Sequence, residues 1–373
     1  MKLLITGASG FIGKNLTEEL RNRGYFELYC CDKHTSDEEL EQYLADCDFL
    51  YHLAGVNRPD NVDEFMEGNY RFLTILLDGL KKQKKCVPVL MTSSIHADQD
   101  NPYGVSKRAA ERALWAYHKD TGSRILIYRL PNVFGKWCRP NYNSVVATFC
   151  YNIAHDMDIR VDDPSTVMNL VYIDDVVEEF IRGLTGKENR IGDICQIPVI
   201  YTVTLGRLSE LILSFKESRS SLRLPDMGNP LEKKLYSTYL SYLPEDGFSY
   251  KLKMNEDIRG SFTEFIKTLD RGQVSVNVAK PGIVKGNHWH HTKNEKFLVV
   301  YGKACIQFRK INCQKVLEYH VTGDKMEVID IPPGYTHNIV NEGNCELVTV
   351  MWANEEFDPE HPDTYYLKVV EDE

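Results

Sequence analysis

The first 130 residues alternate short, almost wholly apolar runs with longer stretches that favour helix. The apolar runs predict strands at residues 2–6, 25–31, 48–55, 87–94 and 123–130. The stretches between them predict helices at residues 14–23, 37–47, 66–84 and 103–120. Because strands that are apolar almost throughout are buried on both faces, this alternation predicts a parallel sheet covered by helices.

Near residue 240 the pattern changes, and residues 243–249 (LPEDGFS) are typical of a linker. Beyond it, short runs of apolar and polar residues are separated by turn sequences such as PPG and NEG. These runs lie at 274–280, 296–302, 303–308, 315–321, 325–331, 337–341 and 346–353. Short strands with turns at this spacing predict an antiparallel barrel or jelly roll. We therefore expect two domains, residues 1–243 and 244–373.

Composition and charge narrow the function classes. Of the 373 residues, 43% are hydrophobic and 26% charged, which is typical of a globular protein and excludes a disordered or collagen-like chain. The net charge of -10 argues against broad binding to nucleic acid or to an anionic membrane. No apolar run approaches the ~18 residues of a membrane span, and the N-terminal sequence reaches glycines too early for a secretory signal. The ten cysteines contain no CxxC pair, so we expect reduced thiols and a cytoplasmic protein.

A glycine-rich turn, GASGFIG, follows the first predicted strand. Gly7, Gly10 and Gly13 let the backbone turn sharply and approach a pyrophosphate. Phe11 and Ile12 of this turn are further candidates for cofactor binding, and the N-terminus of the helix that follows offers free N–H groups and a dipole that attract an anion. The order of strand, turn and helix favours dinucleotide binding over an ordinary glycine turn.

Asp32 ends the second predicted strand. A carboxylate at this point usually binds a ribose 2′-hydroxyl and favours NAD. Lys33 and His34 follow directly and are suited to a 2′-phosphate, which favours NADP. The residues alone leave NAD and NADP open.

Tyr103 and Lys107 are four residues apart in a predicted helix, so they share one face. An ammonium near a phenol favours the phenolate and so lowers the phenol pKa towards neutrality. The preceding apolar strand ends in Thr92-Ser93-Ser94, at the sheet edge where α/β proteins have their active sites. A hydroxyl there can bind a substrate carbonyl oxygen, and we select Ser94 rather than Ser93 for that role.

A series of motifs over residues 1–240 resembles the sugar-nucleotide branch of the extended short-chain dehydrogenase/reductase family. The motifs are GASGFIG, His52-Leu53-Ala54-Gly55, Asn69, Thr92-Ser93-Ser94, Tyr103 with Lys107, Pro131-Asn132-Val133-Phe134-Gly135 and Tyr172-Ile173-Asp174-Asp175-Val176. This resemblance implies an α/β Rossmann-type doubly wound parallel sheet, with Ser94, Tyr103 and Lys107 as the catalytic residues.

The same resemblance implies further roles. Leu53-Ala54-Gly55 is expected to line the cofactor, Lys107 to hold the nicotinamide ribose and Asn132 to face the sugar nucleotide. Arg139 belongs to a loop that cannot be aligned with the family pattern. It either contacts a diphosphate of the substrate or lies on the surface.

Histidines are concentrated in the second domain. His288 and His290 alternate on one face of a predicted strand, Glu295 follows, and His337 comes after a PPG turn. Three imidazoles and one carboxylate make a site for zinc, iron, manganese or nickel. The alternative is that these are strand histidines with ordinary hydrogen bonds.

The spacing of these residues resembles the two motifs of the cupin family, an all-β jelly-roll barrel. Gly282 to Gly302 match the first motif and Pro332 to Asn341 the second, with Met326 in place of its leading glycine. Because some sugar-epimerase cupins work without metal, the metal is either catalytic or structural. Candidates for a base in this domain are His291, Lys293 and Tyr335, whereas His320 and His361 are expected on the surface.

Both domains together resemble bifunctional enzymes of capsular polysaccharide assembly. That resemblance implies a UDP-linked 2-acetamido-2,6-dideoxy-4-ketohexose as substrate. The cupin would epimerise C3, whose proton is acidified by the C4 ketone, and the first domain would reduce C4 with NADPH to UDP-2-acetamido-2,6-dideoxy-L-talose, on the path to UDP-N-acetyl-L-fucosamine. It also implies zinc in the cupin and a homodimer.

Two other functions compete with this one. An NAD-retaining nucleotide-sugar 4-epimerase or dehydratase would share the fold but oxidise and re-reduce its substrate in one cycle. A non-enzymatic sugar or redox sensor would keep the fold without turnover. The retained pair Tyr103 and Lys107 argues against a sensor, and the sequence has no basic face or helix-turn-helix pattern for DNA.

Overall fold

The structure, a computed structural model, describes residues 1–371 and divides into two units. The first unit contains Met1–Leu213 and Lys234–Pro244, and the second contains Ser214–Lys233 together with the chain from Glu245 onwards. The segment 214–233 joins the second unit through its backbone, since the N–H of Leu224 donates to the carbonyl of Lys267 at 2.9 Å. The sequence pattern, which breaks near residue 243, shows no sign of this excursion.

The first unit is built on a parallel sheet. Its strands are β1 (Leu3–Thr6), β2 (Leu28–Cys31), β3 (Phe49–His52), β4 (Val89–Ser94), β5 (Ile125–Leu130), β6 (Asn132–Phe134), β7 (Val167–Tyr172), β8 (Arg190–Ile191), β9 (Ile194–Cys195) and β10 (Tyr201–Thr204). The large sheet has the order β2-β1-β3-β4-β5-β9-β8, parallel except for β8. A smaller sheet has the order β10-β7-β6.

Helices lie between the strands. They are α1 (Phe11–Asn22), α2 (Asp37–Asp46), α3 (Asp63–Met66), α4 (Phe72–Lys82), α5 (Pro102–Thr121), α6 (Val145–Ala154), α7 (Ile173–Leu184), α8 (Leu205–Ser221) and α9 (Pro230–Leu240). A π-helical turn, Glu67–Arg71, joins α3 to α4. Among the described residues, no helix combines the length and the apolar character needed to cross a membrane.

The large sheet is buried on both faces. Side chains of β1 alternate between the faces, and all of them are buried. Ile5 packs with Leu16 of α1 and Phe180 of α7, whereas Leu4 packs with Leu76 of α4 and Leu114 of α5. The predicted doubly wound α/β domain is confirmed.

The second unit consists of two antiparallel sheets. Its strands are β11 (Met254–Asp257), β12 (Gly260–Thr268), β13 (Gly272–Ala279), β14 (Val284–Trp289), β15 (Glu295–Tyr301), β16 (Lys303–Lys310), β17 (Val316–Thr322), β18 (Val328–Ile331), β19 (Tyr335–Asn341), β20 (Leu347–Ala353) and β21 (Tyr365–Tyr366). One sheet has the order β11-β12-β13-β20-β15-β18 and the other β17-β16-β19-β14-β21. Phe297 and Val299 of the first sheet pack against Ile306 and Ile339 of the second. This confirms the predicted all-β, cupin-like domain.

Candidate active sites

The glycine-rich turn lies where the strand order of the parallel sheet reverses. β2 and β3 flank β1 on opposite sides, so the carboxyl ends of β1 and β3 border a crevice. Gly7 follows β1 with φ of 68°, and a Cβ there would lie 2.8 Å from the backbone nitrogen of Ala54. A Cβ on Gly13 would lie 2.1 Å from the carbonyl oxygen of Gly7. Both positions need glycine, and they keep a backbone-lined cradle of the kind that accepts a pyrophosphate.

The start of α1 is open to a ligand. Gly10 is the residue before the helix, and no side chain caps the first N–H groups. Phe11 and Ile12 are half-buried and line the same cavity as Gly10. Uncapped N–H groups at a helix start attract an anion. The cradle and the helix start therefore fit the diphosphate of a dinucleotide.

The segment Leu53-Ala54-Gly55, after β3, is held against the glycine turn by buried polar groups. The Thr6 hydroxyl is hydrogen-bonded to Nδ1 of His52 at 2.9 Å and accepts the N–H of Ala54 at 3.3 Å. Burial lowers the pKa of His52 to about 3, with a further contribution from Lys107, so the ring is neutral. The sequence motif contains His52 but gives no reason for it; the structure supplies one.

Asn69, on the π-helical turn, ties this segment to α5. Its side chain accepts the N–H of Val56 at 2.9 Å and donates to the Val56 carbonyl at 3.0 Å and to the Ser106 hydroxyl at 3.0 Å. A Cβ on Gly55 would lie 2.9 Å from Oδ1 of Asn69 and 3.2 Å from Nζ of Lys107. The segment expected to line the cofactor and the helix with the candidate catalytic residues are thus in direct contact.

Asp32 follows β2 and binds its own turn. One carboxylate oxygen accepts the N–H of His34 at 2.9 Å, and the backbone N–H of Asp32 donates to the Thr35 hydroxyl at 3.1 Å. Lys33 and His34 are exposed. The turn therefore occupies one oxygen of Asp32 and leaves the two basic side chains free to point towards solvent or a ligand.

Lys107 and Tyr103 share one face of α5, as the spacing predicts. Nζ of Lys107 lies 5.9 Å from the centre of the Tyr103 ring and donates to the Thr92 carbonyl at 3.3 Å. Burial lowers the pKa of Lys107 to about 8, and the carboxylate of Glu111 acts in the opposite direction.

The pKa of Tyr103 differs from the sequence-based expectation. Burial raises the pKa of the phenol, and a hydrogen bond with Ser94 lowers it in part. The expected lowering by Lys107, whose Nζ lies 5.9 Å from the centre of the Tyr103 ring, is not among the causes of this shift.

The two serines at the end of β4 have different partners. Ser93 donates to the carboxylate of Glu111 at 2.5 Å, and that carboxylate also receives two hydrogen bonds from Arg129, at 2.9 and 2.7 Å. Ser94 instead faces Tyr103 and accepts the N–H of His96 at 3.1 Å. This contrast supports the choice of Ser94 as the hydroxyl beside the phenol. It also reveals an ion pair between the buried Glu111 and the half-buried Arg129 that the sequence did not suggest.

One cavity of 1030 Å³ joins the groups of the first unit. Its lining includes Gly10, Phe11, Ile12, Leu53, Gly55, Ser94, Tyr103, Lys107, Asn132 and Arg139. Asn132 is exposed and donates to the Asn169 carbonyl at 3.5 Å, and the Arg139 guanidinium lies 5.1 Å from the centre of the Tyr142 ring. Both candidate substrate-binding residues therefore reach the same space as the candidate catalytic residues.

The four predicted metal ligands meet in the second unit. One potential ligand atom from each of His288, His290, Glu295 and His337 lies within 4.8 Å of the others. His288 of β14 pairs in register with His337 of β19, and Glu295 is the first residue of β15. Nε2 of His290 and Nε2 of His337 lie 3.5 and 3.3 Å from the same carboxylate oxygen of Glu295.

The polar atoms of this cluster fit a bound cation. Nε2 of His290, both ring nitrogens of His337 and one oxygen of Glu295 are buried without a hydrogen-bond partner among the described residues. Burial and the neighbouring His337 lower the pKa of His288 to about 4, which keeps a neutral imidazole able to bind a metal. Burial by itself raises the pKa of Glu295, but His290, His337 and Lys293 outweigh it and hold that pKa well below its ordinary value. Three imidazoles and one carboxylate form a donor set that suits zinc, iron, manganese or nickel.

Of the candidate bases of this domain, Lys293 contacts a residue of the cluster. Nζ of Lys293 is buried 3.7 Å from Glu295, whereas His291 is exposed. Gly334, next to Tyr335, donates to the His290 carbonyl at 3.1 Å. His320 and His361 are exposed and pair with Glu342 and Asp358, and neither belongs to the four-residue cluster. His320 instead lies in a second group of potential ligands with Cys305 and Glu318.

Two family models match the chain. The NAD dependent epimerase/dehydratase family matches residues 3–197. The polysaccharide biosynthesis C-terminal domain matches residues 255–365.

Individual proteins resemble the whole chain. The UDP-2-acetamido-2,6-beta-L-arabino-hexul-4-ose reductase of Pseudomonas aeruginosa is 46% identical over 371 residues, with 100% of both chains covered. The crystal structure of the capsular polysaccharide assembling protein CapF from Staphylococcus aureus is 54% identical, with a TM-score of 0.94 over 99% of this chain and 100% of that one. A UDP-glucuronic acid 4-epimerase from Bacillus cereus, solved with NAD, is 21% identical over 65% of this chain and 96% of that one, with a TM-score of 0.55, and shows the fold alone.

Proposed function

This chain belongs to the NAD dependent epimerase/dehydratase family, and on that premise we propose that it is a bifunctional nucleotide-sugar enzyme of capsular polysaccharide synthesis. In this proposal the second domain inverts C3 of a UDP-linked 2-acetamido-2,6-dideoxy-4-ketohexose. The first domain then reduces the C4 ketone with NADPH and yields UDP-2-acetamido-2,6-dideoxy-L-talose.

One observation carries the reductase assignment: Ser94, Tyr103 and Lys107 share a single cavity with the glycine-rich turn. This arrangement supports proton transfer beside a nicotinamide, and the relative from Pseudomonas aeruginosa, named as a UDP-hexulose reductase, supports the substrate class. The metal-ligand cluster of the second unit supports a separate reaction in the same chain.

For the reduction, a bound nicotinamide would supply a hydride to C4. The Ser94 hydroxyl, hydrogen-bonded to Tyr103, is suited to orient the substrate oxygen O4. Tyr103 gives its proton to O4, which completes the alcohol. The Lys107 ammonium, beside Gly55 and the Thr92 carbonyl, stabilises the phenolate that remains and holds the nicotinamide ribose.

For the epimerisation, the C4 ketone acidifies the proton on C3, because the resulting carbanion delocalises into the carbonyl. Removing that proton and returning it on the opposite face inverts C3. A zinc ion bound by His288, His290, Glu295 and His337 would polarise the ketone. The base comes from His291, Lys293 or Tyr335. With His291 or Tyr335 as the base, the buried Lys293 ammonium adds positive charge for the enolate.

We further propose NADPH rather than NADH as the reductant. One carboxylate oxygen of Asp32 already accepts the N–H of His34, so the carboxylate has less capacity to bind a ribose 2′-hydroxyl. Lys33 and His34 are exposed at the same turn and suit a 2′-phosphate.

A cytoplasmic homodimer completes the proposal. The ten cysteines are free, in keeping with a reducing compartment. The hairpin of β11 and β12 lies at a sheet edge with Ile258 87% exposed and the nearby Leu269 81% exposed, which supports burial against a second copy. Light scattering of the purified protein measures the oligomeric state.

The test is incubation of the protein with the UDP-linked 4-ketohexose and NADPH in deuterated water. Product analysis by mass spectrometry and NMR is expected to find deuterium at C3, inverted configuration there, and a C4 alcohol formed with net NADPH consumption. Turnover that leaves the added NADPH unchanged contradicts the proposal and favours an NAD-retaining epimerase or dehydratase.

A further inference from the structure

Asp363 binds the loop between two predicted metal ligands with its whole carboxylate. One oxygen accepts the N–H of His291 at 2.9 Å. The other accepts the N–H groups of Thr292 and Lys293, both at 2.9 Å, and the Thr292 hydroxyl at 3.1 Å. These four hydrogen bonds hold three consecutive residues of the loop on one side chain.

The loop that Asp363 holds is part of the metal-ligand cluster. Residues 291–293 connect His290 to Glu295, and Lys293 contributes the buried ammonium 3.7 Å from the Glu295 carboxylate. A shift of this loop would move a ligand at each end and the ammonium between them.

Asp363 also contacts a ligand directly. Its main-chain carbonyl lies 2.6 Å from Nδ1 of His290, so that nitrogen carries the proton and donates it. Nε2 of the same ring is then the lone-pair nitrogen, and it is the atom that lies 3.5 Å from Glu295 without a hydrogen-bond partner. The hydrogen bond to the carbonyl therefore selects the tautomer that can bind a metal through Nε2.

The chain around Asp363 is anchored to the sheet, so the residue is a fixed support. Trp289 of β14 pairs with Tyr365 of β21, and the N–H of Leu367 donates to the Asn287 carbonyl at 2.9 Å. Asp363 itself has φ of 35°, a left-handed conformation that a free chain rarely adopts outside glycine. A conformation of this kind persists when the surrounding contacts determine it.

We propose that Asp363 is a positioning residue of the metal site, which sets the tautomer of His290 through its carbonyl and the conformation of loop 291–293 through its carboxylate. The inference rests on the zinc site proposed above. It adds a residue from the far end of the chain that holds the site without binding the metal or the substrate.

The variant Asp363→Asn tests the carboxylate. An asparagine keeps only one acceptor oxygen, so in either orientation its NH₂ group faces a donor: the N–H of His291 or the donors of Thr292 and Lys293. The hydrogen bonds on that side are lost. Loss of a partner that orients metal ligands typically weakens metal binding by about 10- to 100-fold. We expect that loss in competition with a zinc chelator, together with an altered visible spectrum of the cobalt-substituted protein. Deuterium exchange at C3 should fall at limiting zinc and recover with excess zinc.

Asp358→Asn is the matched control. Asp358 is another carboxylate of the same C-terminal segment, and it accepts the N–H of Glu360 at 2.9 Å and pairs with His361 at 3.3 Å. It should keep the unsubstituted zinc affinity, and both variants should keep NADPH oxidation when the epimerised 4-ketohexose is supplied. A folded Asp363→Asn protein with unchanged zinc affinity and cobalt spectrum would overturn the proposal. An unsubstituted protein that binds no zinc refutes the metal site itself.

A measurement without any variant covers the case in which Asp363→Asn does not fold. NMR of the unsubstituted protein with ¹⁵N-labelled histidine, in the absence of metal, reports which nitrogen of His290 is protonated. We expect the proton on Nδ1, because the carbonyl of Asp363 and not the metal selects it. A proton on Nε2 contradicts the inference.

Discussion

Glu111 lies one helical turn beyond Lys107 on α5, and its carboxylate raises the pKa of that buried lysine against the larger lowering by burial. The same carboxylate binds Ser93 and Arg129 on neighbouring strands. The buried carboxylate of Glu111 thus connects α5, which carries Lys107, to the end of β4, which carries Ser94.

This relationship predicts a change in the pH profile of Glu111→Gln. The charged form of Lys107 stabilises the phenolate, so activity is lost as pH rises through the lysine pKa of about 8. Glu111 raises that pKa, so removing its charge lowers the pKa further and moves the alkaline limb of kcat/KM for NADPH oxidation to lower pH. The measurement is the pH dependence of kcat/KM for both proteins.

Asp120→Asn is the control for this prediction. Asp120 lies in the last turns of α5 and forms an exposed ion pair with Lys81 at 2.7 Å. Its removal should leave the alkaline limb unchanged. An alkaline limb that stays in place in folded Glu111→Gln contradicts the assigned role of Lys107.

The same substitution at the two serines of β4 should affect different quantities: catalysis for Ser94 and stability for Ser93. Ser94→Ala removes a hydroxyl beside Tyr103 and should reduce kcat for the reductase by about 100-fold, as loss of one donor to a developing oxyanion does. Ser93→Ala should leave kcat near normal but destabilise the protein by about 1–3 kcal/mol, because the buried Glu111 loses a donor. Steady-state kinetics and denaturant unfolding separate the two, and a large loss of kcat in Ser93→Ala would exchange their roles.

The sequence predicted the elements in which a continuous stretch of residues is apolar throughout or alternates regularly between apolar and polar. The apolar run at 87–94 forms β4 and the alternating run at 346–353 forms β20. The single helix expected at 66–84 is instead three pieces: α3, a π-helical turn and α4. The spacing of hydrophobic residues did not reveal the change of helical type between them. The hairpin of β11 and β12 escaped prediction, since β11 is exposed along its whole length and is held by pairing.

The candidate site was predictable where chemistry and spacing coincide, and not where it depends on distant parts of the chain. The four candidate metal ligands and the pair Tyr103 and Lys107 follow from residue types at fixed intervals. Asp363 lies 72 residues from His291, so no interval connects it to the loop that it holds. The same holds for Glu111 and Arg129, which meet only because β4, β5 and α5 are neighbours.

Two substitutions should separate the proposed reactions. Tyr103→Phe removes the proton donor and should reduce NADPH oxidation by about 10²- to 10⁴-fold, while deuterium exchange at C3 continues. His288→Ala removes a metal ligand in the other unit and should stop the exchange, while NADPH oxidation with the epimerised 4-ketohexose continues. Loss of both activities in either folded variant argues against two independent sites.

The turn after β2 predicts the choice of cofactor. Lys33→Gln and His34→Gln should each reduce kcat/KM for NADPH by about tenfold, the loss expected for one charge-assisted hydrogen bond, and leave the value for NADH unchanged. Lys187→Gln, at an exposed lysine of the same unit, serves as the control. Equal losses with both cofactors would assign these side chains a role unrelated to the 2′-phosphate.

Metal removal should reduce the thermal stability of the second unit. Without an ion, Nε2 of His290, Nε2 of His337 and an oxygen of Glu295 are buried and unpaired, which costs stability that a cation restores. Zinc at a free concentration 1,000 times its Kd stabilises a fold by about 4 kcal/mol, which corresponds to a rise in melting temperature of roughly 10 °C. We expect a chelator to reverse that rise in the unsubstituted protein.

Calorimetry with and without chelator, combined with metal analysis, makes this prediction specific to the cluster. His288→Ala should bind zinc more weakly and melt at a temperature that responds little to the chelator, because one ligand of four is gone. His361→Ala is the matched control, since His361 is 83% exposed, pairs with Asp358 and belongs to no group of potential metal ligands among the described residues. It should keep both the zinc content and the chelator response of the unsubstituted protein. A melting temperature that ignores the chelator in the zinc-loaded unsubstituted protein would show that ion binding at these four side chains does not stabilise the fold.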